Sequence, residues 1–291
     1  MSTEPRTAAL PPLFVSHGSP MIALEPGAAG HFLARLGPAI DATFGRPRAV
    51  LAVSAHTATR QPVLLAAARH KTVHDFGGFP PALYEERYDS AGDPALAREV
   101  AALLEKHGLP VHVVDQGGLD HGIWTALKYM YPKADVPVLP LSLLPNLPPQ
   151  HQFAIGQMLA SLAQEGVLIM ATGSITHNLR LLGRVSRARG DDESEMTESR
   201  EFRNWIAGRS AALDWKALFD YRQSAPHAAY MHPTDEHLLP WYVAAGAGGP
   251  DVPPMRIYDG STMGALGMDT YAFGPNAAPL AKALQESPVA A

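Results

Sequence analysis

The sequence predicts a single α/β domain, in which a central mostly parallel or mixed sheet carries helices on both faces. Three observations support this. Strand-like apolar runs alternate with helical periodicity along most of the 291 residues. Histidines stand where several of those runs stop, which is where open α/β sheets gather their ligands. No repeat and no long Gly/Ser/Pro linker divides the chain.

Strands are expected at 12–16, 49–54, 62–67, 110–114, 136–143, 167–172 and 254–258. Between them, helical spacing runs over 94–107, where Pro94 takes a first-turn position and Leu96, Val100, Leu103 and Leu104 form one apolar stripe. Further helices are expected at 122–130, 150–165, 196–213 and 235–245. The proline cluster Leu144-Pro145-Asn146-Leu147-Pro148-Pro149 reads as a rigid loop. The acidic run Asp191-Asp192-Glu193-Ser194-Glu195 reads as a solvated loop before the helix that follows Met196. One catalytic domain is expected over 11–275, with 1–10 and 276–291 as flexible termini.

Composition narrows the function classes. Apolar residues make up 46% and charged residues 18%, enough for a substantial core. The net charge of −5 comes without a basic patch, so a nucleic-acid partner is not expected. No cationic amphipathic helix, spanning segment or signal-like N-terminus stands out, and the expectation is a cytoplasmic protein, monomeric or homodimeric. Cysteine is absent, so any metal must be held by imidazole, carboxylate or water.

Four histidines look like parts of one metal site. His17 ends the run Pro12–Ser16, and Gly18 beside it tolerates the positive φ of a tight turn. His56 ends Ala49–Ala55, His177 follows the run that closes at Gly173, and His237 closes Pro233-Thr234-Asp235-Glu236. Ser174 and Thr176 read equally well as helix N-caps. His121, after Asp120, is either a proton donor or a helix-start residue. His232 competes with His237 as a ligand. His31, His70, His107, His112 and His151 read as surface or packing residues. No nucleophile elbow, Walker loop, dinucleotide fingerprint or zinc-protease helix is present.

Taken in order, several segments resemble the class III extradiol ring-cleaving dioxygenases, in the branch of DOPA 4,5-dioxygenase-like proteins. They are Ser16-His17-Gly18-Ser19-Pro20, Val53-Ser54-Ala55-His56, His74-Asp75-Phe76-Gly77-Gly78-Phe79-Pro80, Leu119-Asp120-His121-Gly122, Gly173-Ser174-Ile175-Thr176-His177-Asn178-Leu179 and Pro233-Thr234-Asp235-Glu236-His237. The resemblance runs over roughly residues 11–272. It implies that His17, His56 and His237 bind one divalent metal, iron(II) for activity or zinc as found. It implies that His177 is a catalytic acid/base or a fourth ligand, and that His121 lines the substrate side as a second catalytic group. The partners would be a catechol and O2, and the product an open-chain semialdehyde acid. A third imidazole replaces the carboxylate of the common iron triad. That ligand set also suits a zinc hydrolase, and the fold alone would allow a non-catalytic binding protein. The segment 72–90, with His74, Phe76, Phe79, Tyr84, Arg87 and Tyr88, is expected near the cavity mouth.

Overall fold

The apolar runs assemble into one sheet because each central strand is hydrophobic on both of its faces. The computed structural model describes residues 9–181 and 195–286. Its main sheet has eight strands: β1 (Leu13–Ser16), β2 (Ala49–Ala58), β3 (Val63–Leu65), β4 (His112–Val114), β5 (Val138–Leu143), β6 (Val167–Gly173), β7 (Met255–Tyr258) and β8 (Thr270–Ala272). Their order is β7-β8-β1-β6-β2-β5-β3-β4. The central pairs β1–β6, β6–β2 and β2–β5 are parallel. The pairs β1–β8, β7–β8 and β3–β5 are antiparallel, so the sheet is mixed.

Successive side chains along these strands enter different cores, as a two-residue period requires. Phe14, Leu51, Val53 and Ile169 join a cluster with Phe153, Trp241 and Tyr242. Val15, Val50, Ala52 and Met170 join a second cluster with Leu36, Trp124 and Leu127. The first face is covered by α5 (Pro149–Leu159) and α7 (Leu239–Gly248), the second by α1 (Gly27–Phe44) and α4 (His121–Met130). Helices α2 (Pro81–Glu85), α3 (Pro94–Lys106) and α6 (Thr197–Ala211) complete the larger set before the terminal α8 (Ala277–Glu286). No described helix is long and apolar enough to cross a membrane.

Several expectations need correction. Helix α1 has no counterpart in the sequence reading, because Gly30, Gly37 and Pro38 lie inside it and each lowers helical propensity. Packing overrides propensity here. A Cβ on Gly37 would sit 2.0 Å from the Met130 carbonyl oxygen, so glycine is what lets α1 and α4 touch backbone to backbone. Strand β8 was also unread; at three residues it is too short to show a period.

Within 276–291, the described residues 276–286 are not a free tail. Ala277, Leu280 and Leu284 of α8 are buried in the second core cluster, and the Asn276 amide donates to the Ala9 carbonyl at 2.6 Å. Leu10 is likewise buried, with its N–H bonded to Ala163 O. Residues 1–8 and 287–291 lie outside the described residues. So does the acidic run apart from Glu195, and Glu195 is not solvated. It accepts from Arg203 and Ser199, and Arg203 also grips Asp269 at 2.7 Å in a buried ion-pair network. Finally, the helix expected from 235 begins at Leu239, with Pro240 in the first turn where its missing N–H costs nothing.

Candidate metal centre

Each candidate ligand is brought to the C-terminal edge of the sheet by a separate backbone device. His17 follows β1 directly, and Gly18 adopts the positive φ of 61° that the turn demands. Strand β2 runs on past the expected end, but its register against β5 shifts between Ser54 and Ala58. That irregularity re-aims a side chain, as bulges do, and His56 stands within it. His237 is not at a strand end. Its carbonyl accepts the Ser174 N–H at 2.9 Å, and a Cβ on Gly173 would lie only 2.0 Å from that oxygen. Glycine at the end of β6 therefore admits the backbone that carries the third imidazole.

The result is a tight convergence. Nε2 of His56 lies 3.1 Å from Nε2 of His17 and 3.2 Å from Nε2 of His237. All three ligand atoms lie within 4.8 Å of one another. The hydrogen-bond network assigns the tautomers. The Thr172 hydroxyl donates to Gly122 O at 3.0 Å, so at 2.9 Å from His17 Nδ1 it must accept. Glu236 Oε1 accepts from His237 Nδ1 at 3.1 Å, and Asp75 Oδ2 lies 3.4 Å from His56 Nδ1. His17 and His237 thus carry their protons on Nδ1 and turn Nε2 lone pairs toward His56 Nε2, while His56 Nδ1 faces the Asp75 carboxylate within ion-pair range.

With His56 also protonated on Nδ1, three Nε2 lone pairs converge on one point, an arrangement that a cation among them stabilises. Two imidazole nitrogens bound at about 2.0–2.1 Å with tetrahedral angles lie roughly 3.3 Å apart, and the observed spacings match. The donor set therefore fits a divalent transition metal. The carboxylate absent from the ligand set stands behind it twice, as Glu236 in a hydrogen bond to His237 and Asp75 in ion-pair range of His56. Such partners behind ligating imidazoles fix ring orientation and raise basicity.

His177 belongs to the same cavity but not to this trio. Its ring stacks on that of His237 with centroids 3.4 Å apart and planes 7° from parallel. Its nitrogen groups with Glu236 and His237. Ser174 and Thr176 do not cap a helix. They brace the loop that carries His177, donating to Gly267 O at 3.0 Å and Ala265 O at 2.9 Å. His121 opens α4, with its ring centroid 4.0 Å from that of His56. His232 is buried away from the trio and points Nε2 at the Ile175 carbonyl, 2.7 Å away. His31, His107, His112 and His151 are exposed and His70 is buried, all outside the donor groups.

Residues that sequence reasoning did not single out complete the site. Asp120 accepts from Ser54 at 2.7 Å and from Thr57, and caps α4 through Ile123 N at 3.2 Å. It ties the α4 N-terminus to the bulged segment around His56. Asp75, Asp120 and Glu236 each sat inside a quoted motif next to a histidine, which was the signal available.

Burial and the neighbouring imidazoles keep the histidines neutral. His17 and His237 are held below the ordinary range, while His56 falls to about 3 and His177 to about 2, burial being the largest cause in each. Unfolded histidine titrates near 6.5. Between pH 6.5 and the folded values the unfolded chain binds protons that the folded chain refuses. In the metal-free protein this contribution to stability is complete above 6.5 and is lost as pH falls, by up to about 1.4 kcal/mol per pH unit for each such histidine. Urea midpoints of metal-free protein are expected to drop between pH 8 and pH 5. A flat profile would show that the cluster is not neutral.

A family model described as the catalytic LigB subunit of aromatic ring-opening dioxygenase matches residues 11–272. The chain belongs to this family. An Escherichia coli (strain K12) protein named 4,5-DOPA dioxygenase extradiol is 35% identical over 91% of this chain and 95% of its own length. The Beta vulgaris protein of the same name is 34% identical over 89% of this chain and 95% of its own length. A crystal structure of an uncharacterized protein from Escherichia coli K12 matches with TM-score 0.74 and 31% identity, covering 91% of this chain and 100% of that one. The LigB family is metal-dependent, and the imidazole trio is a metal-competent donor set within the matched span. Neither the zinc-hydrolase nor the binding-only reading gains support from these matches.

Proposed function

We propose that the protein is an extradiol dioxygenase that opens a catecholic ring beside its two hydroxyls. Both atoms of O2 enter the product, and the broken carbon–carbon bond leaves one carboxylic acid and one aldehyde. The observation that carries this reading is the convergence of the Nε2 atoms of His17, His56 and His237. These residues would hold the metal. Bound there, iron(II) would supply Lewis acidity toward the catechol and electrons for dioxygen.

The chain's own groups handle the protons. His177, stacked against His237 at the edge of the trio, is placed to take the proton of a catechol hydroxyl and return it as the ring opens. His121, with Nδ1 bonded to Asp75 at 3.0 Å, presents Nε2 as a second acceptor. Phe76, edge-on to His121 at 5.6 Å, and Phe79 against Phe76 at 5.3 Å offer an apolar flank for an aromatic ring. Arg87 donates from Nη1 to the Tyr84 and Glu86 carbonyls at 3.0 Å. The names of the relatives make DOPA the first catechol to try.

The test is reconstitution of metal-free protein under anaerobic conditions with iron(II) or with zinc, followed by a catechol panel and air. Iron-loaded protein is expected to consume one O2 per catechol and form a yellow product, and zinc-loaded protein to do neither. Absence of oxygen uptake with every catechol under iron would refute the assignment.

A further inference from the structure

We infer that Asp75 is a positioning residue whose single carboxylate sets the orientation and tautomer of both His121 and His56. The inference rests on the proposed function for its catalytic meaning, but its geometry stands independently.

Two hydrogen bonds and one longer ion-pair contact meet on this carboxylate. Oδ1 accepts the backbone N–H of His121 at 2.9 Å, and Oδ2 accepts His121 Nδ1 at 3.0 Å. His56 Nδ1 approaches the same Oδ2 at 3.4 Å. The two bonds to His121 clamp its backbone and ring together, and the backbone donor is one of those a helix N-terminus leaves unpaired. Only an ionised carboxylate can take all three, because it is acceptor-only. An amide of the same shape turns a donor toward at least one of them.

The placement follows from a short parallel pairing outside the main sheet. Lys71 and Thr72 pair with Gly118 and Leu119. The contact continues through Val73 N to Leu119 O at 2.8 Å, and Trp124 Nε1 donates to Val73 O at 3.0 Å. This register sets Asp75 beside His121, two residues beyond Leu119. One side chain thereby joins a metal-side imidazole to a substrate-side imidazole. A tilt of the carboxylate would move both rings, whose centroids are 4.0 Å apart.

The test is Asp75→Asn, with Asp75→Glu retaining the charge on a longer stem. Zinc affinity by competition with a chromophoric chelator is expected to fall about 10–100-fold in Asp75→Asn, the usual cost of losing a carboxylate behind a metal-ligating histidine. Nitrogen-15 NMR of histidine-labelled protein is expected to show two rings changing tautomer. With iron and an active catechol, kcat is expected to fall by a similar factor while KM changes little. Asp75→Glu is expected to lie nearer wild type in all three measurements, and decides the matter if Asp75→Asn does not fold. Unchanged zinc affinity and tautomers, even with a lower Tm, would overturn the inference. If wild-type iron-loaded protein consumes no oxygen, the functional reading fails, yet the zinc and NMR measurements still decide the role of Asp75.

Discussion

Replacing His237 with alanine is expected to abolish tight metal binding, whereas His232→Ala leaves it intact. Structural zinc sites bind with roughly 10–16 kcal/mol shared over four ligands, so one ligand carries about 3 kcal/mol, on the order of 10²–10³-fold in affinity. The two histidines are close in sequence but do different work. His237 turns Nε2 toward His56 at 3.2 Å, while His232 gives its Nε2 proton to the Ile175 carbonyl at 2.7 Å. Losing His232 orphans that buried carbonyl and costs about 1–3 kcal/mol of stability. Zinc competition on each variant, with circular dichroism to confirm folding, separates the outcomes. Metal loss in His232→Ala with retention in His237→Ala would show the ligand assignment to be wrong.

His177→Ala is expected to lower kcat about 10²–10⁴-fold, the range for removing a positioned acid or base. Metal affinity is expected to change only a few-fold by comparison with ligand removal, because His177 stacks on His237 and its nitrogen lies outside the trio. His177→Gln, which keeps part of the flat surface against His237, separates lost packing from lost proton transfer. If both variants lose metal as completely as His237→Ala, His177 is a fourth ligand and the acid/base role passes to His121.

The sequence showed the sheet's central strands well because they are buried on both faces and therefore uniformly apolar. It hid α1, since Gly37 and Pro38 are poor helix formers that a backbone contact with Met130 justifies only in three dimensions. It hid α8 for a different reason: the apolar stripe of Ala277, Leu280 and Leu284 is too thin to stand out near a chain end. The histidines were legible because imidazole at the edge of an apolar run is conspicuous. The carboxylates behind them were not. Asp75 and Glu236 look like ordinary surface acids until the fold turns them onto His121, His56 and His237.

The proposed ligands sit at positions 17, 56 and 237, and the last is tied to the sheet edge by the contact of its carbonyl with Ser174. A growing chain on the ribosome therefore carries only two of the three proposed donors from residue 56 until residue 237 is made. A cation met at that stage finds a two-point, exchangeable foothold. Because tight binding needs the assembled donor set, metal selection happens late, in the folded molecule. The identity of the ion is then decided by what the compartment offers a finished protein, and not by what the nascent chain first encounters.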